Sequence, residues 1–392
     1  MSKLQNLIAE LCPAGVARVK IDDLIAYEQP TKYLVASKSY DDGYSTPVLT
    51  AGQTFLLGYT NEEHGKYPAS ADSPVIIFDD FTTAYKWVDF EFKVKSSAMK
   101  MLTLKPNAPI TLRYFWYALS TISIDTSEHA RYWISKFSNL DIPLPPVAIQ
   151  NEIVRILDTF SKLETALEEE LKARTAQYQT YRRRLLTSEK DPSLFAEHTL
   201  GGISLKVSSG STPLADSDRF YRDGTIPWLR TQEVKFNEIW ETEVKVTDVA
   251  LKETGIKWVP ENCVIIAISG ATAGRSAVNK IPLTTNQHCC NFQIDPEKAD
   301  YRYVFHWVAS HYEDIKSFGR GVRSDLSAGQ LKEYPIHLPP LDMQIEIATA
   351  LEKFDKLTRD TSSGLPAEIA ARRQQFEYYR RKLLAFKGLE VA

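Results

Sequence analysis

Apolar residues recur along this chain with two different periods. They fall at Ile149, Ile153, Ile156, Phe160, Leu163 and Leu167, in steps of 4, 3, 4, 3 and 4. That is the seam of a helix that packs against another helix. The stripe slips one step at Leu171 and resumes at Tyr178, Tyr181 and Leu185. It predicts a helix over about 147–187, ~60 Å long at ~1.5 Å per residue. Such a helix takes most of its stability from a partner surface. Met343, Ile347, Ala350, Phe354 and Leu357 repeat the seam and supply that partner. Ser362-Ser363-Gly364-Leu365-Pro366 then predicts a stop and a fresh helix start.

The shorter period belongs to strands. Val75-Ile76-Ile77-Phe78 is a continuous apolar, β-branched run, and Val264-Ile265-Ile266-Ala267-Ile268 answers it. Val88-Asp89-Phe90-Glu91-Phe92-Lys93-Val94-Lys95 alternates strictly, the pattern of a half-exposed strand. Leu112 to Tyr117 and Tyr301 to His306 read as short helices with aromatic faces. Gly270 to Ser276 reads as a turn after the second apolar run.

These patterns occur twice. Between 142–163 and 336–357, 11 of 22 positions are identical at an offset of 194. Between 173–186 and 371–384, 8 of 14 are identical at an offset of 198, the four extra residues falling at the Gly364 break. A repeat unit of half a chain is a duplication. The expected fold is α+β: two β-rich domains with small helices, separated by two long helices packed as an antiparallel coiled coil, in a pseudo-two-fold repeat. The expected segments are 1–146, 147–190, 191–340 and 341–392. The apolar positions Leu4, Ile8 and Leu11 are expected to pack against Leu383, Leu384 and Phe386.

Composition narrows the function. A hydrophobic share of 43% and a charged share of 25% in 392 residues describe an ordinary globular chain of two or three domains. The net charge of −3 means that nucleic-acid binding requires local patches. Cys12, Cys263, Cys289 and Cys290 form no CxxC pair, which argues against a zinc site. No run of ~18 apolar residues marks a membrane span. The start lacks a signal-peptide pattern, so a cytoplasmic location is expected.

Catalytic motifs are sparse. No GxGxxG follows a strand, no Walker lysine loop exists, and the two Leu-Pro-Pro motifs lack the flanking residues of an amino-methyltransferase. The sharpest enzymatic alternative is a stand-alone Mg-dependent nuclease using Asp79, Asp80, Glu91 and Lys93. A structural adaptor is the other alternative. DNA binding has broader support, since phosphates call for Lys, Arg, Ser and Thr, and base edges for Arg, Asn and Gln. In the first block the candidates are Lys32, Tyr33, Gln53, Tyr59, Asn61, Asp80, Thr82, Thr83, Lys86, Lys93, Ser96, Ser97 and Lys100. In the second they are Ser209, Ser211, Thr212, Trp228, Arg230, Gln232, Arg275, Thr285, Asn286, Gln287, Arg320 and Arg323. The two blocks differ most at these polar positions, while the helices stay alike.

The order of elements and the repeated signature, Leu144-Pro145-Pro146 with Gln150, Glu152 and Ile153, then Leu338-Pro339-Pro340 with Gln344, Glu346 and Ile347, resemble the specificity subunit of type I restriction–modification systems. Gly210 to Pro213, Ile226-Pro227-Trp228 and Thr285-Asn286-Gln287 look like the family's target-recognition domain. The 46–61 and 76–83 stretches look like the subclass often labelled IC. The resemblance implies a non-catalytic reader of a bipartite double-stranded DNA site, with the helices setting the spacer. It implies docking of two methyltransferase subunits, for which Gln150, Ile153, Phe160, Gln344, Ile347 and Phe354 are the candidates. It places S-adenosylmethionine on those partners, and ATP and Mg on motor–nuclease subunits, with no cofactor or metal in this chain. The Gly364-Leu365-Pro366 break departs from strict symmetry.

Overall fold

The computed structural model describes residues 3–37, 39–52, 54–124, 131–187, 192–319 and 326–389. The candidates Gln53, Arg320 and Arg323 lie outside them. Two compact units form: Met1–Leu167 with Ile369–Ala392, and Glu168–Glu368. The long helix Val147–Leu186 therefore contributes its first half to unit 1 and its second half to unit 2. Among the described residues no helix is long and apolar enough to cross a membrane.

In unit 1, four antiparallel strands lie in the order Ile25–Glu28, Met99–Leu104, Val75–Asp79, Tyr85–Val88. A three-stranded sheet orders Leu56–Thr60, Thr46–Leu49 and Lys93–Val94, with the last pair parallel. Unit 2 repeats both sheets. Ser204–Ser209, Cys289–Ile294, Val264–Ala267 and Ser276–Asn279 form the same order, extended by Asn237–Ile239. Lys245–Val246, Ile226–Leu229 and Thr284–Thr285 form the small sheet, again with one parallel pair.

The Ile-Pro signature closes each module. Arg18↔Pro143 to Lys20↔Asp141 pair antiparallel in unit 1, and Ala196↔Leu338 to Thr199↔Pro335 in unit 2. These are isolated two-stranded ribbons, where a proline costs little because an edge leaves N–H groups unpaired anyway. The aromatic helices are Leu112–Leu119 and Tyr301–Ser310. Thr111 and Asp300 cap them through their side chains, each satisfying an otherwise unpaired N–H.

The helical pattern matches in outline and fails at Leu163, Tyr181 and Leu357, each exposed. Leu163 is 39% exposed and Leu357 38% exposed, although the heptad seam puts both inside. The buried stripe is instead Ile149, Ile153, Leu157 in one copy and Ile347, Ala348, Leu351 in the other. Those first turns pack on their own β-rich module, with Tyr114, Phe115 and Ile142 or with Tyr303, Val304 and Ile336. A module surface does not enforce a 3.5-residue seam. Further along, helix meets helix. In unit 1 the Phe160 ring stacks 5.4 Å from Tyr379, and Glu164 pairs with Arg373 at 2.6 Å. In unit 2 the Tyr178 ring lies 6.0 Å from Phe354, and its hydroxyl donates to Asp355 at 2.9 Å. In unit 1 one residue number rises as the other falls, so the pairing is antiparallel. The second helical region breaks between Leu341–Arg359 and Leu365–Leu384, as its Gly-Leu-Pro predicts.

Two further expectations resolve. Leu4 and Leu384 are buried together, with Ile8, Leu383 and Phe386 against them, while Leu11 stays exposed. The alternating run 88–95 is not one strand: it spans the end of Tyr85–Val88, a break, and Lys93–Val94. Phe92, Lys93 and Val94 are all buried. Lys93 tolerates this because its ammonium reaches Glu62 at 2.8 Å and donates to the His64 carbonyl at 2.9 Å.

Candidate nucleic-acid interface

In each unit, the end of the small sheet delivers a polar loop beside a turn of the large sheet. In unit 2 the strand Thr284–Thr285 runs into Asn286-Gln287-His288. The Asn286 N–H donates to Leu229 and the Ile268 N–H to His288, joining three segments. The Ser211 N–H donates to the Thr285 carbonyl, which adds the 209–212 loop. Gly210 is required there, because a Cβ would overlap that carbonyl. The result gathers Ser211, Thr212, Arg230, Gln232, Arg275, Gln287 and His288 around one rim. The Thr212 hydroxyl donates to the Gln287 side-chain oxygen. Arg230 is held at 2.8 Å by Glu243 and 3.8 Å by Glu233. Gln232, with its amide oriented to suit, accepts from Arg230 at 3.0 Å. Both terminal nitrogens of the guanidinium are thus engaged inside the module, so a base contact at Arg230 would exchange one of these partners.

Unit 1 repeats the frame with other side chains. The Lys95 N–H donates to Leu49 and the Asp80 N–H to Ala98. Thr82 and Thr83 of the turn thereby adjoin Lys95, Ser96 and Ser97. Lys95 reaches the Tyr40 hydroxyl at 3.2 Å and lies over its ring. Gly58 (φ +148°) permits that approach, since a Cβ there would fall 2.8 Å from the Tyr40 Cβ. The Asp41 N–H donates to Tyr59, placing Tyr59 on the adjoining strand and Asn61 just past its end.

Several candidates are placed elsewhere. Asp80 and Lys100 are each 1% exposed and pair at 3.2 Å. Asp80 also accepts the Trp133 N–H at 2.9 Å. Lys93 is inside, as described. Tyr33 is buried with its hydroxyl 3.2 Å from Glu28, which also holds Lys32 at 2.6 Å. Trp228 is buried and donates its indole N–H to Ser211; Thr285 is buried and accepts from Asn291 at 2.9 Å. Asn286 is nearly buried, accepting the His288 N–H at 3.1 Å. These are frame residues. Ser209 is exposed and Lys86 half-buried. The nuclease quartet is not assembled: Asp79 accepts from the N–H groups of Phe81 and Thr82, Asp80 faces Lys100, Glu91 faces Lys66 and Lys93 faces Glu62. Among the described residues no group of three or more acidic, His or Cys side chains could hold a metal.

The docking candidates also face inward. Gln150 and Gln344 are buried clamps: Gln150 accepts the Thr111 N–H at 2.8 Å and donates to Pro109 and Pro145, while Gln344 donates to Pro339 at 2.8 Å. Ile153 and Ile347 are core, and Phe160 and Phe354 lie in helix contacts. Glu152 is drawn down to about 2 by Arg155 and Lys3. Tyr40 escaped the candidate set. Tyr40 carries no pattern and is brought in only by the Gly58 approach.

The family described as type I restriction modification DNA specificity domain matches residues 13–174 and 192–371, once per half. The chain belongs to that family. It is 40% identical over 407 aligned positions to the type I restriction enzyme EcoR124I/EcoR124II specificity subunit of Escherichia coli, covering 100% of this chain and 99% of that one. The S subunit of the type I restriction–modification system of M. genitalium shares the fold: TM-score 0.60, 15% identity, covering 94% of this chain and 96% of that one. So does a chain from a study of complex assembly and conformational transition in the type I R-M system, with TM-score 0.56, 12% identity, and coverage of 96% and 98%. The specificity domain is thus duplicated in this chain, and the two rims belong one to each copy. The family is one of specificity domains, not catalytic ones.

Proposed function

We propose that this specificity subunit reads a bipartite double-stranded DNA site, one half with each module. The carrying observation is a shared frame that holds unlike polar sets at the same point. The four residues Lys95 to Ala98 occupy in unit 1 the place of the three residues Asn286, Gln287 and His288 in unit 2, with matching backbone bonds at both ends. A frame kept while its reading edge changes suits two different half-sites.

Two methyltransferase subunits, bearing S-adenosylmethionine and flipping adenine out of the duplex, and motor–nuclease subunits, using ATP and Mg, complete the assembly. This chain then supplies recognition alone. Because the repeated Gln and Ile positions are internal, docking falls to outward apolar residues. Leu163 and Leu357 are exposed at repeat-equivalent positions and offer one contact per copy of the partner. The helices determine how many base pairs separate the halves, so one heptad inserted into each lengthens the unread spacer.

The test is a map of methylated adenines in a host carrying the complete system. Arg230→Ala or Gln287→Ala changes preference in one half-site and leaves the other alone. A change in both halves contradicts separate reading.

A further inference from the structure

Beside the unit 2 rim, one apolar side chain has no partner surface. Leu214 is 70% exposed, more than any other large apolar residue among those described. A single exposed leucine is ordinary. What sets this one apart is its support. The chain leading into it is clamped twice: the Trp228 indole N–H donates to Ser211 at 3.1 Å, and the Tyr221 hydroxyl donates to Pro213 at 2.8 Å. The Ser211 N–H is tied to Thr285, and Gly210 is locked by the carbonyl it touches. Two residues before Leu214, Thr212 donates to Gln287 and so orients that amide. The loop therefore presents an isobutyl group two residues along the chain from the threonine that, with His288, holds a side-chain amide in one orientation.

In the major groove, that pair of chemistries has one natural counterpart. A carboxamide matches the N6 and N7 groups of adenine, and an apolar group matches the C5-methyl of thymine. We propose that Leu214 reads a thymine methyl group in the half-site contacted by the second module, with Gln287 on an adenine of the same or the adjoining pair. This rests on the reading that the second module binds DNA. It adds a specificity-determining residue of apolar type that polar-cluster reasoning passes over.

The test uses the full chain assembled with its methyltransferase partner and duplexes carrying the mapped site. Deoxyuridine, which lacks only the methyl group, replaces each thymine of the second half-site in turn. One replacement weakens binding roughly fourfold, the value of one buried methyl. Leu214→Ala, with an unchanged melting temperature, binds the thymine and deoxyuridine duplexes alike. The proposal is overturned if no replacement matters, if the half-site holds no thymine, or if Leu214→Ala keeps the discrimination. It is equally overturned if Leu214→Ala weakens all sequences uniformly, the mark of an unstacking wedge. Loss of all sequence preference in the wild-type complex would instead refute the DNA-reading assignment itself.

Discussion

The Asp300 N–H donates to the side-chain oxygen of Gln344 at 3.0 Å, and Asp300 is the residue whose own carboxylate caps the helix Tyr301–Ser310. Gln344 thereby locks a module helix to the first turn of the long helix that follows Pro339-Pro340. Gln150 does the same to Thr111 in the other unit. The repeated glutamine is a joint inside each unit. Its recurrence in the duplicated signature follows from that joint and needs no partner.

Gln344→Ala leaves the Asp300 N–H and the Pro339 carbonyl unpaired in a buried place. Each unsatisfied group costs about 1–3 kcal/mol. Denaturant unfolding shows a lower midpoint for this variant, and Gln150→Ala matches it. The recognised DNA sequence stays the same in both. A change of sequence preference at wild-type stability would return these glutamines to the recognition surface.

Asp80 and Lys100 form a buried ion pair whose counterparts in unit 2, by strand register, are Ile268 and Cys290. Removing one partner strands a charge, at about 3–5 kcal/mol. Asp80→Ala is therefore strongly destabilising. Asp80→Ile combined with Lys100→Cys, which copies the sister module, recovers only part of that loss, because the Trp133 N–H stays unpaired. The double variant failing as badly as the single one would show that the pair does more than fill space.

His306 is buried against Arg182, Arg302, Arg359 and Asp355, with Tyr178 alongside. Burial first, then the three guanidinium groups, push its pKa down to about 3. Its Nδ1 lies 3.9 Å from Asp355, whose own carboxyl pKa burial shifts upward. Between its usual value near 6.5 and about 3, the unfolded chain binds a proton that the native ring refuses. Stability from this group is thus complete above that window and lost as pH falls through it. His306→Gln flattens the acid side of a melting-temperature profile. An unchanged profile would mean that the ring is protonated in place.

The duplication, the Pro-Pro boundaries, the helix break and the loops of the second rim were legible in the sequence. Each is a local signal: a repeat, a proline, or polar residues between apolar runs. What was not legible depends on what a side chain meets across the fold. Lys93 and Lys100 read as surface charges until Glu62 and Asp80 are found beside them. Leu163 and Leu357 read as seam positions until the first turns of each helix are seen to pack on a module. Tyr40 has no signal of its own.

The central claim is that each module reads its half-site alone. Exchanging residues 195–335 for the corresponding segment of the Escherichia coli relative, then mapping methylated adenines in a host bearing the complete system, tests it most directly. One half of the bipartite site should change to a new sequence while the other half and the spacer persist. A map with both halves altered, or with neither altered, contradicts the account.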